Sequence, residues 1–394
     1  MTERGLKFPD RLTAPRFLQQ YWQKTPLNMP GAIDFDLPTL SGDELGWLAT
    51  LEDVESRLVF TERSSNKISY RVEHGPFAKS ELEKLPPQDW TLLIQDVEKH
   101  LPDFRACFEL TAFIPDWRVD DLMVSFAAPG GSVGPHLDHY DVFLCQGSGG
   151  RHWQLAEPGS VRADPDSGDL SLLETFQDES PILAASGDVL YLPPGVPHWG
   201  IASTACLTYS IGMRAPTRAE LLSQLAALGT PTVLPDNDAE NVFYQDPDLT
   251  LAEAVPGLIT DRAVERAGAA LGKDHAVTET RLATALGIIV TEPKPWLRPA
   301  SMDAKTSRAR LAALHRNANL SVHGMARLAY FESGDACIVF ANGFHKTFSG
   351  SMAALIRDLC QTRALRPQSL QRDTGNDEVQ EALLWLSQQG VFDL

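Results

Sequence analysis

The spacing of apolar residues changes along the chain from a helical period to a β-strand period, and the two periods predict two kinds of structure. In the first 120 residues apolar positions recur at helical spacing, and Leu45, Leu48, Leu51 and Val54 predict a helix over 43–59. A shorter amphipathic helix precedes it and ends at Pro26, because proline cannot continue a helix. From about residue 120 the period becomes that of β-strands.

The β section predicts a double-stranded β-helix (jelly roll) within an α+β protein. Strand-like segments separated by glycine and proline turns cover 121–127, 136–145, 151–155, 187–195 and 206–213. The glycine-rich loop 146–150 predicts a hairpin that pairs the segments on either side of it. Residues 159–180 are acidic and rich in turn residues, so we expect an excursion over the surface.

The helical period returns after residue 217. Thr217 is predicted to cap a helix over 220–225, and further helices are expected over 260–272, 309–316, 351–362 and 377–389. Two short strands near 325–331 and 336–341 give the last part a winged-helix-like pattern, after a proline-rich linker. The predicted domains are therefore 1–216, 217–300 and 301–394.

Composition limits the classes of function. The 394 residues are 43% hydrophobic and 22% charged, and no apolar run approaches the ~20 residues that cross a bilayer, so no membrane segment is expected. Five widely spaced cysteines without a CxxC pair fit a reducing cytoplasm. The formal charge of −18 disfavours direct nucleic-acid binding and favours a basic partner, although acidity that serves solubility alone is an equally open explanation.

The stretch 136–141 holds the candidate metal ligands. In an extended chain His136, Asp138 and Tyr140 point to one side, and His139 and Asp141 point to the other. A histidine and a carboxylate side by side supply two of the three ligands of a non-haem iron site. A register slip of one residue would exchange His136/Asp138 for His139/Asp141, so the residues alone leave both pairs open.

His198 and Arg151 are the candidates for completing such a site. His198 follows a stiff Pro-Pro-Gly-Val-Pro turn in the same β section, and can supply the third ligand. Arg151 begins the strand after the glycine-rich loop, and its planar guanidinium suits a carboxylate ligand. An exposed hairpin arginine is the other explanation of Arg151.

Four motifs together resemble the bacterial ribosomal oxygenases, which are JmjC-type, cupin-fold arginine hydroxylases of large-subunit ribosomal protein L-sixteen. The motifs are Asp-Leu-Met-Val-Ser-Phe at 121–126, Gly-Pro-His-Leu-Asp-His-Tyr-Asp-Val-Phe at 134–143, Pro-Pro-Gly-Val-Pro-His at 193–198 and Tyr-Ser-Ile-Gly-Met-Arg-Ala-Pro at 209–216. Segments at 21–27 and 90–97 are also similar to the family. The dense resemblance covers about 15–217.

The resemblance implies an iron(II)- and 2-oxoglutarate-dependent dioxygenase in the cytoplasm, without a catalytic side chain beyond the metal centre. It implies His136, Asp138 and His198 as iron ligands, and Arg151 with Ser125 as contacts of 2-oxoglutarate. Asp121, Met123 and Tyr140 become candidate contacts of a substrate arginine, with oxygen as second co-substrate. It further implies a homodimer formed through 217–300 and a basic ribosomal protein as substrate. The alternatives are a JmjC-type histidine hydroxylase or lysine demethylase, or a non-catalytic cupin binding module.

Overall fold

The computed structural model describes residues 5–65, 67–165, 172–178, 180–231, 242–272, 277–313, 320–365 and 377–393. This part of the chain forms two compact units. The first comprises residues 1–113, 119–213 and 247–251, and the second comprises 114–118, 214–246 and 252–394. The three predicted domains divide the chain differently, and their boundaries at 216 and 300 stay predictions.

The first unit contains eleven described strands in two antiparallel sheets. The strands are β1 (Leu27–Met29), β2 (Ser56–Arg63), β3 (Ile68–His74), β4 (Trp90–Ile94), β5 (Val119–Ala127), β6 (Val142–Ser148), β7 (Arg151–Leu155), β8 (Ile182–Ala184), β9 (Val189–Leu192), β10 (His198–Ala202) and β11 (Cys206–Met213). The large sheet has the order β1-β9-β6-β11-β5-β4-β2-β3, and the small sheet has the order β10-β7-β8. Apolar residues of both sheets pack together, among them Leu144, Leu190, Trp153 and Ala184. The predicted jelly roll is confirmed.

The described part of the first unit contains four α-helices: α1 (Ala14–Gln20), α2 (Gly42–Leu48), α3 (Lys79–Leu82) and α4 (Val97–His100). Helix α2 begins at a capping box, in which Ser41 Oγ accepts from the Glu44 amide and Glu44 bonds back to Ser41. The predicted helix over 43–59 is wrong beyond Leu48. Residues from Ser56 onward form β2 instead, because they pair with β3 on one side and β4 on the other.

Two strand predictions also need correction. The segment predicted as a strand over 136–145 is regular only from Val142, and His136 makes an isolated bridge with His198. The loop 146–150 does not close a hairpin: β6 pairs with β9 and β11, whereas β7 pairs with β8 and β10. The loop instead carries the chain from the large sheet to the small one. The Gly149 backbone has φ +64° close to Ala205 and Cys206, where a side chain would clash.

The acidic excursion at 159–180 is described only in part, because 166–171 and 179 lie outside the described residues. Its described part returns to the body of the unit. Leu172 and Leu173 are both buried, and the Leu173 amide donates to the Pro135 carbonyl at 2.8 Å. The prediction of a purely surface segment is therefore wrong for these two leucines.

The second unit is mixed helix and strand. Its helices are α5 (Arg218–Ala227), α6 (Asp261–Leu271), α7 (Glu279–Thr291), α8 (Ala304–Ala313), α9 (Ala353–Thr362) and α10 (Asp377–Gln388). Its strands are β12 (Leu320–Ser321), β13 (Leu328–Ser333), β14 (Ala336–Ala341), β15 (Phe344–Ser349) and β16 (Ala364–Leu365). Thr217 and Glu220 form the predicted cap of α5 as a full capping box. The predicted helix over 309–316 overlaps α8, and 314–316 lie outside the described residues.

Helix α7 was not predicted from the sequence, although it lies at the centre of this unit. Its residues from Leu282 to Thr291 are all buried, and they pack against α5, α6 and the strands β13 and β14. A helix that is apolar on every side has no amphipathic period to reveal it. No helix in the described part of the chain is long and apolar enough to cross a membrane.

Candidate metal centre

Three side chains from two distant segments converge in the first unit. His136, Asp138 and His198 each offer one ligand atom, and these atoms all lie within 4.8 Å of one another. The two segments are joined by backbone hydrogen bonds: His136 N donates to His198 O at 3.0 Å, and His198 N donates to His136 O at 2.8 Å. The Gly195 amide also donates to the Asp138 carbonyl at 2.7 Å. The position of the cluster is thus fixed by main-chain contacts.

Both histidines are oriented by a backbone carbonyl two residues earlier. His136 Nδ1 lies 2.9 Å from Gly134 O, and His198 Nδ1 lies 2.9 Å from Val196 O. A proton on each Nδ1 leaves Nε2 as the free electron-pair donor, which is how second contacts orient metal-binding histidines. Burial, followed by the nearby His136, lowers the pKa of His198 to about 4, although Asp138 acts in the opposite direction. His198 is therefore neutral at pH 7, as a ligand must be.

The alternative pair His139/Asp141 faces away from this cluster. Asp141 is fully buried and accepts hydrogen bonds from Tyr191 and Gln23, whereas His139 is exposed. The two pairs therefore lie on opposite sides of the chain, as predicted for an extended segment, even though 136–141 is not a regular strand. The geometry brings together the pair His136/Asp138 with His198 and leaves the other pair apart.

A cavity of about 330 Å³ opens next to the three side chains. It lies between the inward faces of the two sheets. All eight residues that the resemblance assigns to the metal, 2-oxoglutarate or substrate line it: Asp121, Met123, Ser125, His136, Asp138, Tyr140, Arg151 and His198. One cavity therefore contains a possible metal site, a cation and an acidic group.

Arg151 is a buried cation inside this cavity. Its side chain comes from the small sheet, and the residue is only 3% exposed. Nη2 contacts Cys206 Sγ at 3.7 Å, Nε has no hydrogen-bond partner, and no carboxylate is paired with Arg151 among the residues that the structure describes. A buried charge without a counter-ion is unfavourable unless a ligand supplies the opposite charge. The exposed hairpin arginine considered from the sequence is excluded.

Ser125, on the large sheet, belongs to a polar row of the cavity wall. Its register partner across β11 is Thr208, which also lines the cavity. Both side chains are buried. Hydroxyl groups in this position can donate hydrogen bonds to a bound anion.

Asp121, Met123 and Tyr140 line the cavity from β5 and from the ligand-bearing stretch. Tyr140 is 41% exposed, so this end is open to solvent. The pKa of Tyr140 is raised, first by the negative charge of Asp138, then by burial of its hydroxyl and by Asp121. Tyr140 therefore stays a neutral phenol near the carboxylates of Asp138 and Asp121.

The lining residues that the sequence did not single out include Arg57, Gln95 and Leu172. Arg57 Nε and Gln95 Oε1 are buried there without a hydrogen-bond partner in the described part of the chain. Arg57 lies on β2, in the segment wrongly predicted as helix. If that segment had been predicted as a strand, the alternation of its side chains would have placed Arg57 on the inward face. Leu172 gave no such signal.

Comparisons with known proteins agree with this architecture. Residues 107–221 match the JmjC domain, and residues 271–393 match the ROXA-like winged helix. The "Ribosomal protein uL16 3-hydroxylase" of Escherichia coli K12 is 38% identical over 238 residues, which are 60% of this chain and 61% of that protein. The predicted resemblance to the bacterial ribosomal oxygenases is confirmed.

Solved structures extend the similarity to the whole fold. The X-ray structure of E. coli YcfD aligns with a TM-score of 0.72 at 27% identity, and covers 99% of each chain. A structure titled as the same ribosomal oxygenase in complex with cobalt and 2-oxoglutarate aligns with a TM-score of 0.69 at 27% identity, again over 99% of each chain. In sequence, the chain spans about three fifths (61%) of the curated relatives' length. The winged-helix-like pattern at the end of the chain is confirmed.

Proposed function

We propose that this chain is an iron(II)- and 2-oxoglutarate-dependent oxygenase that hydroxylates an arginine side chain of ribosomal protein uL16. The observation that carries the proposal is the pairing, in one cavity, of a His-Asp-His cluster with a buried arginine that has no carboxylate partner among the described residues. The first feature suits a divalent metal, and the second suits a dicarboxylate that reaches the metal at its other end.

His136 Nε2, His198 Nε2 and an Asp138 carboxylate oxygen would hold the metal. Two neutral imidazoles and one carboxylate are the donor set that non-haem iron(II) oxygenases use, and three ligands leave positions for other groups. When bound, iron would supply oxidative decarboxylation of 2-oxoglutarate with oxygen, giving succinate, carbon dioxide and one hydroxyl group on the substrate. The cobalt complex of the E. coli relative supports a metal of this class, and the donor set supports iron.

Arg151 would bind the distal carboxylate of 2-oxoglutarate, with Ser125 as a further contact. Because Arg151 is already buried and desolvated, a carboxylate there gains a strong charge-assisted hydrogen bond while it neutralises the cation. The E. coli ribosomal oxygenase structure with 2-oxoglutarate supports this choice of co-substrate.

The substrate side chain would enter past Asp121, Met123 and Tyr140. Asp121 can pair with a guanidinium, and Met123 and the Tyr140 ring can contact the alkyl chain. The formal charge of −18 favours encounter with a basic ribosomal protein. The uL16 hydroxylase of E. coli supports the choice of uL16. Arginine as the modified residue rests on the resemblance to the ribosomal oxygenases, with Asp121 in the cavity as a carboxylate that can meet a guanidinium.

Intact-mass analysis of ribosomal proteins tests this function. Ribosomes from cells with and without the gene are compared, and uL16 is expected to be heavier by about 16 Da, one oxygen atom, when the gene is present. Fragmentation should place the oxygen on an arginine. Oxygen on a histidine or loss of a lysine methyl group would favour the alternative enzymes, and no difference in any ribosomal protein would reject the ribosomal role.

Site variants test the metal assignment independently of the substrate. Replacement of His136 or Asp138 by alanine should abolish turnover of 2-oxoglutarate to succinate by the purified protein, because too few ligands remain to hold the metal. Wild-type levels of succinate from either variant would show that the ligands lie elsewhere. Absence of turnover by the wild-type protein would favour a binding module.

The assembly and location proposed from the sequence also stay proposals. A homodimer formed through 217–300 predicts twice the chain mass of 43.3 kDa in light scattering, about 87 kDa. Cytoplasmic location and the absence of direct nucleic-acid binding rest on composition.

A further inference from the structure

Behind the His-Asp-His cluster lies a second set of hydrogen-bonded side chains, formed by Asp141, Tyr191 and Gln23. The Tyr191 hydroxyl donates to Asp141 Oδ1 at 2.6 Å, and Gln23 Nε2 donates to Asp141 Oδ2 at 2.8 Å. The Gln23 backbone amide donates to the Tyr191 hydroxyl oxygen at 2.8 Å and closes the ring. We call these three residues the Asp141 ring.

The surrounding residues hold the side chains of the Asp141 ring in place. Asp141 and Tyr191 are both fully buried. The aromatic ring of Tyr191 packs edge-on against Phe17, with centroids 4.9 Å apart, and stacks on Trp22 at 5.9 Å. A carboxylate in such a place needs donors on both oxygens, and the ring provides one for each. Its parts therefore have little freedom to move separately.

The ring joins the two segments that carry the candidate metal ligands. Asp141 ends the stretch that holds His136 and Asp138, and this stretch has no regular strand ladder of its own. Tyr191 lies on β9, which leads directly into the proline turn before His198. Gln23 comes from the N-terminal segment, at a backbone position with φ +53°.

We propose that Asp141, Tyr191 and Gln23 are positioning residues, which hold Asp138 and His198 at the separation that a metal ion needs. The inference rests on the metal site of the proposed function. It adds that the N-terminal segment, through Gln23, takes part in setting the geometry of that site. Contacts that orient ligands from behind commonly change metal affinity by 10–100-fold when they are removed.

The hydroxyl of Tyr191 is the most specific point to test. Tyr191→Phe keeps the aromatic packing but leaves Asp141 Oδ1 and the Gln23 amide without this partner. We expect the metal-free protein to bind cobalt(II), followed by its visible absorption, about 10–100-fold more weakly than the wild type. Unchanged cobalt affinity in Tyr191→Phe overturns the inference.

Tyr209→Phe is the matched control. Tyr209 is also a buried tyrosine of the first unit, and its hydroxyl donates to the Pro38 carbonyl at 3.0 Å, outside the Asp141 ring. Its cobalt affinity should stay within about twofold of the wild type, because the lost bond does not involve the ligand segments. An equal loss in both variants would mean that any buried hydroxyl matters, and would overturn the specific role.

Three further variants keep the test decisive if Tyr191→Phe does not fold. Gln23 is only partly buried, so Gln23→Leu should fold, and it removes the donor to Asp141 Oδ2. It should weaken cobalt binding in the same direction. Asp141→Asn should bind cobalt more tightly than Asp141→Leu. The side-chain amide of Gln23 can turn and present its oxygen to the new NH2 donor of the asparagine. Wild-type affinity in both Gln23→Leu and Asp141→Leu contradicts the inference.

The same titration separates the two proposals. If the wild-type protein binds no cobalt, the metal site of the proposed function fails, and the inference fails with it. If the wild type binds cobalt and all Asp141-ring variants bind it equally, the metal site of the proposed function stands and only the positioning role is rejected.

Discussion

Two buried arginines, one in each unit, show the difference between an ion pair that stabilises a fold and a cation that is kept for a ligand. Arg118, in the second unit, is fully buried and meets Asp246 with two bonds, Nε to Oδ2 at 3.0 Å and Nη2 to Oδ1 at 3.1 Å. Its guanidinium also lies 5.1 Å from the centre of the Tyr244 ring. Every feature of this environment satisfies the charge from within the protein.

Arg151 is almost as buried, yet its environment has no such carboxylate in the described part of the chain. It faces a cavity, contacts a sulfur atom and has a free Nε. The stability of the folded chain gains nothing from an uncompensated cation. The contrast indicates that Arg151 is present for a bound anion, which is the physical basis of the proposed 2-oxoglutarate site.

The largest effect is expected when the Arg118–Asp246 ion pair is broken. Arg118→Met leaves the Asp246 carboxylate buried without its counter-ion and should cost about 3–5 kcal/mol in the free energy of unfolding. Urea unfolding measures it. The double variant Arg118→Met/Asp246→Leu should recover most of the loss, because an apolar pair needs no counter-ion. A loss below about 1 kcal/mol in the single variant would contradict the ion-pair assignment.

The next effect concerns the acidic side of the cavity. Asp121→Asn removes the charge proposed to meet a substrate guanidinium and should weaken substrate binding by about 1.5–3 kcal/mol, roughly 10–150-fold in KM for a uL16 peptide. The KM for 2-oxoglutarate should not change. An increase in the KM for 2-oxoglutarate alone would show that Asp121 contacts the co-substrate and not the substrate arginine.

Arg151 should behave unlike Arg118 in the absence of ligands. Arg151→Met removes a buried cation that has no carboxylate partner, so the free energy of unfolding should stay within about 1 kcal/mol of the wild type or rise. The measurement is urea unfolding without metal or 2-oxoglutarate. A loss as large as that of Arg118→Met would show that Arg151 has a structural role, and the contrast between the two arginines would disappear.

The smallest effect is expected at His139. Its side chain is exposed and stands outside the His-Asp-His cluster, so His139→Ala should change 2-oxoglutarate turnover by less than about twofold. Succinate release is the measurement, with His136→Ala as the inactive reference. Loss of turnover in His139→Ala together with retained turnover in His136→Ala would reverse the choice of ligand pair.

Several elements of both units could be predicted because their signals are local. Strands β5 and β11 follow their alternating patterns, and the capping box at Thr217 and Glu220 lies within four residues. No local sequence signal decides between His136/Asp138 and His139/Asp141 as the metal-binding pair. Alternation separated the two pairs, but only the resemblance favoured one, and the structure then brought that pair to His198.

The errors come from interactions between residues distant in the sequence. Leucines at helical spacing predicted helix through residue 59, but strand pairing prevails from Ser56. The loop after β6 resembles a hairpin turn, yet β7 pairs with β10 some 45 residues later, which no short pattern encodes. The missing carboxylate partner of Arg151 also could not be predicted, because burial and pairing depend on the assembled sheets.

Binding of 2-oxoglutarate to the metal-loaded protein tests the central claim most directly. Calorimetric titration without oxygen, with manganese(II) as the bound metal, compares the wild type with Arg151→Met. We predict one site per chain in the wild type and binding at least about 100-fold weaker in the variant, since the charge-assisted hydrogen bonds of the guanidinium are lost. Equal affinity in the two proteins would contradict the account.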